Sequence, residues 1–407
     1  MNRFLSISLI ILLLFANKVV VKGQTGIFYF LPTDATLTNS KVVGISQANS
    51  ENLMLLIFNS DPNYLSHSIQ IFNKPLNNNA ITKTDLTINN LHDLVSLEKK
   101  GKNEFALFGN TTLNKSFEPF QLNVSSTGEV LSNIQLPQVY STLISDVIVH
   151  NESFMILYSR VGKNNLYNIS LHKVNAETGN VEWLKVISSE NNEEADKIVA
   201  TLTGEFYVLG KKYNDEVTEF VPIIYKIDKN GKQLWKKAID VPANFNTQSI
   251  LNVNNEELLY VCGYTKNPTG FSETRVLKLS NTGDEIEGNS LKDFSANGII
   301  EISDETFLIY GSKFIVNTQQ IVTKGKFVIV NKKLVELVEK TLDENDKPDI
   351  LLKNKTKTSS DFLCAKKLTD NKIALAGKVF VPASDNPENK INVPLLMIIN
   401  KDGTYEK

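Results

Sequence analysis

Cysteine, tryptophan and histidine are scarce in this chain of 407 residues, which contains two, two and four of them respectively. Two cysteines are far too few for a disulfide-stabilised scaffold. Cys262 and Cys364 each lie in an apolar strand pattern, and we expect both to be free, buried thiols. The histidines occur singly, without the paired spacing of a zinc site, and no nucleophile or phosphate-binding motif is present. We therefore expect no metal, no cofactor and no catalytic residues.

The chain also lacks an excess of charge of either sign. Its 43 Lys and Arg residues nearly balance its 45 Asp and Glu residues, which leaves a formal net charge of −2. Proteins that bind nucleic acid concentrate Lys and Arg on one surface, and the sequence has no basic stretch of that kind. The composition therefore predicts that nucleic acid is not a partner.

Only one long apolar run is present, and it lies at the start of the chain. Residues 4–16 follow Arg3 and are too few to span a bilayer comfortably. A basic residue, an apolar run and small residues before position 24 are typical of a secretory signal peptide. We predict a signal peptide over residues 1–23 and a secreted protein, extracellular or periplasmic, that does not insert into a membrane after signal cleavage. An uncleaved membrane anchor is the alternative.

What the chain does contain is a repeat of about fifty residues. A turn glycine marks it: Gly128, Gly179, Gly231 and Gly283 follow one another at spacings of 51, 52 and 52, and Gly403 belongs to a further copy. Two weaker copies bring the count to seven. Each copy contains four short strand patterns, and repeats of this length and composition are typical of a β-propeller.

A second glycine recurs at the end of the second strand of most copies, and it confirms the period independently. Glycine at that place indicates a bend or a close approach of another stretch of backbone. Together the two landmarks predict an all-β fold, a seven-bladed β-propeller of four-stranded antiparallel blades. The glycines are Gly109, Gly210, Gly263, Gly311 and Gly377.

The last copy ends soon after Gly403, with too few residues left for a fourth strand. Residues 26–31 have strand composition and precede the first copy. We therefore predict that residues 26–31 complete the last blade and close the ring, so that no sheet edge stays open. The predicted single propeller spans residues 24–407. Its predicted blades cover about 41–88, 92–136, 144–187, 194–239, 246–291, 295–342 and 361–407.

Three segments resemble known propeller repeats. Ile224-Tyr-Lys-Ile-Asp-Lys-Asn-Gly-Lys-Gln-Leu-Trp235 and Arg275-Val-Leu-Lys-Leu-Ser-Asn-Thr-Gly283 resemble the third-to-fourth-strand hairpin of bacterial secreted β-propeller repeat proteins. Residues 176–183 are similar, more weakly, to the tryptophan-docking repeat of quinoprotein and outer-membrane-assembly lipoprotein propellers. The resemblance implies the fold and says little about activity. We interpret Trp183 and Trp235 as packing between blades.

Long connections lie on one face of the predicted propeller. They join the second and third strands of the later blades, and a further insertion precedes the last blade. Variable loops on a rigid scaffold are where recognition is commonly found, so we predict a binding surface there, called the long-loop face below. Large aromatic side chains dominate interface energies. The predicted anchors are Tyr264, Phe271, Phe314 and Phe380, although for Phe314 and Phe380 the favoured alternative is that they continue their strands and pack inward.

The sequence favours a secreted, non-catalytic binding or scaffold module that acts as a monomer. Its expected partner is an extracellular protein or a glycan. The alternative is a propeller-fold hydrolase or lyase acting on an extracellular polymer, with acidic groups such as Asp196 and Asp361 meeting at the axis. Three or more carboxylates or histidines in one axial pocket would favour that alternative.

Overall fold

The computed structural model describes most of the chain beyond the predicted signal peptide, which lies outside the described residues. The described residues are 26–29, 39–49, 52–60, 67–75, 82–113, 116–136, 142–161, 166–188, 192–214, 219–242, 244–253, 258–266, 272–317, 320–342, 359–369, 371–382 and 390–405. Within these ranges no helix is long and apolar enough to cross a membrane.

The described residues form seven blades of antiparallel strands, which confirms the predicted fold class. Blades 1 and 2 contain β2 (Asn39–Asn49), β3 (Asn52–Ser60), β4 (His67–Pro75), β5 (Thr82–Leu86), β6 (Leu91–Lys99), β7 (Glu104–Leu113), β8 (Ser116–Ser125) and β9 (Val130–Gln135). Blades 3 and 4 contain β10 (Thr142–His150), β11 (Ser153–Val161), β12 (Tyr167–Asn175), β13 (Val181–Val186), β14 (Glu193–Ala200), β15 (Phe206–Tyr213), β16 (Phe220–Ile227) and β17 (Gln233–Ala238). Blades 5 and 6 contain β18 (Asn246–Val253), β19 (Leu258–Lys266), β20 (Ser272–Leu279), β21 (Glu285–Leu291), β22 (Phe294–Ser303), β23 (Thr306–Asn317), β24 (Gln320–Asn331) and β25 (Glu336–Thr341). Blade 7 contains β26 (Ser359–Lys367), β27 (Lys372–Pro382), β28 (Lys390–Asn400) and β1 (Gly26–Tyr29).

The N-terminal strand closes the ring. β1 pairs antiparallel with β28, from Gly26 opposite Ile398 to Tyr29 opposite Leu395. It therefore supplies the fourth strand of blade 7, within the predicted range 26–31. A single parallel pair, Asn39 opposite Asn392, also joins β2 of blade 1 to β28.

The core lies between the blades. Seven clusters of buried apolar side chains fill the seven spaces between neighbouring sheets, because both faces of each blade are covered. Both tryptophans contribute from outer strands. A Cβ on Gly231 would lie 3.0 Å from Trp183 of the preceding blade, and one on Gly283 would lie 3.0 Å from Trp235. This contact confirms that both tryptophans pack between blades.

The repeated turn glycine has the backbone conformation that the sequence predicts. All five predicted turn glycines have φ between 73° and 87°, the left-handed region that the hairpin requires. In blade 6 the same hairpin position is Leu334, with φ 56°, which explains why that copy is weaker in sequence. These hairpins lie on the hairpin face, opposite the long-loop face.

Each innermost strand carries a β-bulge near its start, and the sequence pattern did not indicate this. The bulge places one extra residue in the innermost strand opposite a regular second strand. The extra residues are Val43, Val95, Ser145, Asp196, Gln248, Asn297 and Leu363.

Several connections predicted as long loops are largely strand. β23 continues to Asn317 and β24 begins at Gln320, so the region from 313 to 325 is an extended hairpin. β27 likewise continues to Pro382, and β28 begins at Lys390. In blades 6 and 7 the second and third strands therefore extend further towards the long-loop face than a loop connection would.

Candidate functional site

The first and second strands of blades 2 to 5 line an open polar cavity of about 320 Å³. It lies where first strands begin and second strands end, so it belongs to the long-loop face. Three carboxylates, two ammonium groups, three hydroxyls and an amide line it. These polar residues are Asp93, Ser145, Ser159, Glu194, Asp196, Lys197, Lys211, Thr247 and Gln248.

Asp196 is the extra residue of the bulge in β14. Its Oδ1 lies 2.7 Å from Nζ of Lys211, and its Oδ2 accepts a hydrogen bond from Oγ1 of Thr247 at 2.6 Å. Burial raises the pKa of the Asp196 carboxyl above its usual range, and the neighbouring Lys211 partly opposes that rise. Because Thr247 belongs to blade 5, the carboxylate also joins blades 4 and 5.

The other two carboxylates are also held by neighbours. The Tyr213 hydroxyl donates to Oε2 of Glu194 at 2.5 Å. Burial and this carboxylate raise the pKa of Tyr213, so its hydroxyl remains a donor. Nδ2 of Asn110 donates a hydrogen bond to Oδ1 of Asp93 at 2.7 Å. Oδ1 of the same Asn110 accepts a hydrogen bond from the Ile144 backbone N–H at 2.9 Å. Neighbouring side chains therefore hold all three carboxylates in position before any ligand binds.

A second set of polar side chains lies on the first and second strands of blades 6, 7 and 1. Nδ2 of Asn297, another bulge residue, donates to Oδ1 of Asp361 at 2.9 Å. Burial raises the pKa of Asp361 to about 6, opposed by Lys378. The pKa of Lys41 in blade 1 is lowered by burial and by Lys378, and Asp93 opposes that shift. Blades 1, 2, 4 and 7 thus contribute charged groups near the axis, and blades 3, 5 and 6 contribute neutral polar groups.

Further along the innermost strands lie two more charged groups, Asp146 and Glu98, and Asp146 pairs with Lys197 of the cavity. Nζ of Lys197 lies 3.3 Å from Oδ1 of Asp146, and this carboxylate raises the lysine pKa. Oδ2 of Asp146 accepts from the Ile198 backbone N–H at 3.0 Å. Burial raises the pKa of Glu98 to about 7, which makes it a titratable group near neutral pH.

The predicted aromatic anchors lie elsewhere. Tyr264, Phe314 and Phe380 belong to blades 5, 6 and 7, each is half-buried, and none lines the cavity. The Tyr264 hydroxyl accepts a hydrogen bond from Nδ2 of Asn246 at 3.3 Å. Phe314 and Phe380 lie within β23 and β27, as continuation of the strands requires. Phe271 lies outside the described residues.

Asp196 and Asp361 were predicted as axial acidic groups under the enzyme alternative, and the structure places both on innermost strands. Asp93, Glu194 and Lys211 were not predicted as site residues, and they come from three strands of two blades. A signal was available, because a polar residue recurs at the bulge position of blades 3 to 6. It could be recognised only once the bulge was known.

Neither a metal cluster nor a disulfide occurs in the ranges given above. No group of three or more His, Cys, Asp or Glu side chains there is arranged to hold a metal ion. Cys262 is a free, buried thiol as predicted, and Cys364 is free and half-buried.

No protein-family model and no curated protein matches the chain. Solved structures with the propeller fold are similar to it. Polysaccharide lyase Uly1 aligns with a TM-score of 0.55 and 9% identity, over 95% of this chain and 94% of that one. The propeller domain of the Trilobed protease from Pyrococcus furiosus gives 0.44 and 8%, over 87% and 97%. A DUF4221 family member from Bacteroides vulgatus gives 0.41 and 14%, over 77% and 98%.

At these identities the similarity concerns the fold alone. It agrees with the propeller architecture seen in the strand pairing. The narrower resemblance to bacterial secreted repeats stays a prediction.

Proposed function

We propose that the protein is a secreted binding module that takes a hydroxyl-rich ligand, a glycan, in the axial cavity of the long-loop face. The observation that carries this proposal is the lining of that cavity. Carboxylates, ammonium groups, hydroxyls and an amide converge there, and each can donate to or accept from a sugar hydroxyl. A volume of about 320 Å³ is at the small end of ligand sites.

The fixed geometry of the lining supports the proposal. Asp196, Glu194 and Asp93 are each oriented by a neighbouring side chain, so little side-chain entropy is lost when a ligand binds. Their remaining lone pairs are free to accept hydrogen bonds from ligand hydroxyls. Secretion, inferred from residues 1–23, would expose this site to extracellular glycans.

A hydrolase or lyase acting on an extracellular polymer is the second candidate. It is favoured by the convergence of Asp93, Glu194 and Asp196 in one cavity, which is the condition stated for it above. A buried carboxyl with a raised pKa, such as Asp196, is suited to general acid catalysis. Since an enzyme must first bind the same polymer, both candidates share the binding step.

The test is a binding screen with chain 24–407 against neutral and acidic polysaccharides and their oligomers. For any ligand found, Asp196→Asn and Lys211→Met should each weaken affinity at least about tenfold. The matched control is the ion pair between Lys237 and Asp284 on the hairpin face. Lys237→Met and Asp284→Asn should leave affinity unchanged. Equal affinity of all four variants would contradict the axial site.

Incubation with the bound polymer separates the two candidates. A binding module leaves the polymer intact, a hydrolase releases reducing ends, and a lyase also produces an unsaturated sugar with ultraviolet absorbance. Turnover that Asp196→Asn abolishes would establish the enzyme.

A further inference from the structure

Buried polar atoms without a hydrogen-bond partner are concentrated between blades 2 and 3. Among the described residues, twelve buried side-chain atoms have no partner, and seven of them face this one space. Native structures rarely leave such groups unsatisfied, so a cluster of them indicates a bound molecule or ion. The seven are Gln121 Oε1, Thr142 Oγ1, the Tyr158 hydroxyl, Arg160 Nε, Asn168 Oδ1, Ser170 Oγ and His172 Nδ1.

Strand register explains why these side chains lie together. In blade 3, Tyr158 of β11 is opposite Ser170 of β12, and Arg160 is opposite Asn168. Residues two apart on a strand share a face, so His172 lies on this face as well. The rings of Tyr158 and His172 are 4.3 Å apart.

That face packs against blade 2. Tyr158 shares an apolar cluster with Phe108, whose ring lies 4.9 Å from that of Phe154. Gln121 is opposite Phe108 in the register of β7 and β8. We call the space bounded by these polar side chains the interblade slot.

The slot runs inward from the long-loop face. Arg160 and Thr142 form a cross-strand pair near the ends of their strands, and His172 lies about 13 Å deeper, four residues along the sheet. Arg160 is half-buried, whereas Thr142, Tyr158, Ser170 and His172 are buried. The arginine end is thus the accessible end.

The chemistry of the slot is positive and rich in donors. Arg160 is its one formal charge, and Arg160 has no salt bridge with any described residue. Burial and Arg160 lower the pKa of His172 to about 4, so the imidazole is neutral at pH 7. Five of the seven unpartnered groups can donate a hydrogen bond.

We propose that the interblade slot binds a small inorganic anion of halide size, held by Arg160 and by the hydroxyls of Tyr158, Ser170 and Thr142. Water could satisfy the hydroxyls, but it would leave the arginine without a counter-charge. This site is separate from the axial cavity, and it does not depend on the function proposed there.

Crystals of the full mature chain grown in sodium bromide test the site directly. We expect one anomalous bromine peak in the slot, within hydrogen-bonding distance of the Arg160 guanidinium and the Ser170 hydroxyl. Ordered water without an anomalous peak would overturn the proposal.

A solution measurement distinguishes a built site from an adventitious ion only. Bromide replaces gluconate at constant ionic strength, and the melting temperature should rise by about 2 °C or more as the site fills. Arg160→Gln should abolish the rise, and Ser170→Ala, the milder variant, should weaken it severalfold. The control Arg275→Gln, in a surface ion pair with Glu285, should keep it. A bromine peak in crystals without this dependence would mean an adventitious ion only, and the proposal would fail.

The histidine supplies a third readout that a purely structural role of Arg160 would not produce. A bound anion favours the imidazolium, so bromide should raise the pKa of His172 in the wild type, as measured by NMR. A pKa that does not change with bromide would contradict the proposal.

Discussion

The carbonyl oxygen of Asp361 lies 1.9 Å from the position that a Cβ would occupy on Gly377. The same close approach between a glycine of the second strand and a backbone carbonyl of the innermost strand occurs in five blades. In each of them the glycine is paired with the residue that directly precedes the bulge. The corresponding distances for the other four glycines are 2.1 to 2.6 Å. Where Asn59 and Ser159 replace the glycine, the bulge begins further along the strand.

Gly377→Ala should therefore destabilise the protein strongly. Neither Asp361 nor the bulge can move without disturbing the innermost strand, so we expect a loss of roughly 2–4 kcal/mol in the free energy of unfolding. Urea denaturation measures it. The control is Gly101→Ala, where the nearest atom to the new Cβ is 3.9 Å away, and it should cost no stability.

Glu98 should make stability fall as pH rises towards neutral. Its pKa is about 7 in the folded protein and about 4.3 when unfolded, so the folded state binds more protons between these values. The contribution of Glu98 to the free energy of unfolding is fully present below pH 4.3, and it is lost as the pH rises to 7. Glu98→Gln should be more stable than the wild type at pH 8 by roughly 2–4 kcal/mol.

Denaturation curves at pH 5, 6, 7 and 8 check the effect of Glu98. A residual slope of the same sign between about pH 4 and 6 should remain, because burial raises the pKa of Asp361 to about 6. Glu336→Gln on an exposed outer strand should behave as the wild type does. An unchanged slope in Glu98→Gln would contradict the prediction.

Removal of residues 24–32 should open blade 7. The edge of β28 that pairs with β1 would lose its partner and become available for pairing with another chain. We expect a lower melting temperature and concentration-dependent association, measured by size-exclusion chromatography with light scattering. A monomer of wild-type stability would show that the closing strand is dispensable.

Protein docking on the aromatic anchors is distinguishable from ligand binding in the axial cavity. For a protein partner captured on the long-loop face, Tyr264→Ala and Phe271→Ala should weaken binding about tenfold or more. Asp196→Asn should leave that binding intact, as should Asn230→Ala on the hairpin face. Loss of capture only in Asn230→Ala would place the partner on the opposite face.

The ring of blades was predictable because its signals are local. A turn glycine with positive φ is required by the hairpin whatever surrounds it, and the period of about fifty residues follows from five such glycines. The weak sixth copy also has a local cause, since Leu334 adopts the same conformation without being glycine.

The axial cavity was only partly predictable, because its residues are distant in sequence and are re-aimed by bulges. Asp196 was recognised from its place at a strand start, but its contacts with Lys211 and Thr247 depend on the bulge and on the next blade. The interblade slot depends on which face of β11 and β12 meets blade 2. Strand alternation alone gives two equivalent faces, and packing of the neighbouring blade decides between them.

The pairing of β1 with β28 means that the ring is closed by two strands that lie about 370 residues apart in the sequence. During synthesis β1 is made before β28 and stays without this partner for on the order of tens of seconds. Until then only the first blade and the latest blade formed have a neighbour on one side only, and the blades between them already pack on both faces. Closure of the ring is therefore a late step of folding, and mechanical pulling on residues 26–29 would reverse that step first.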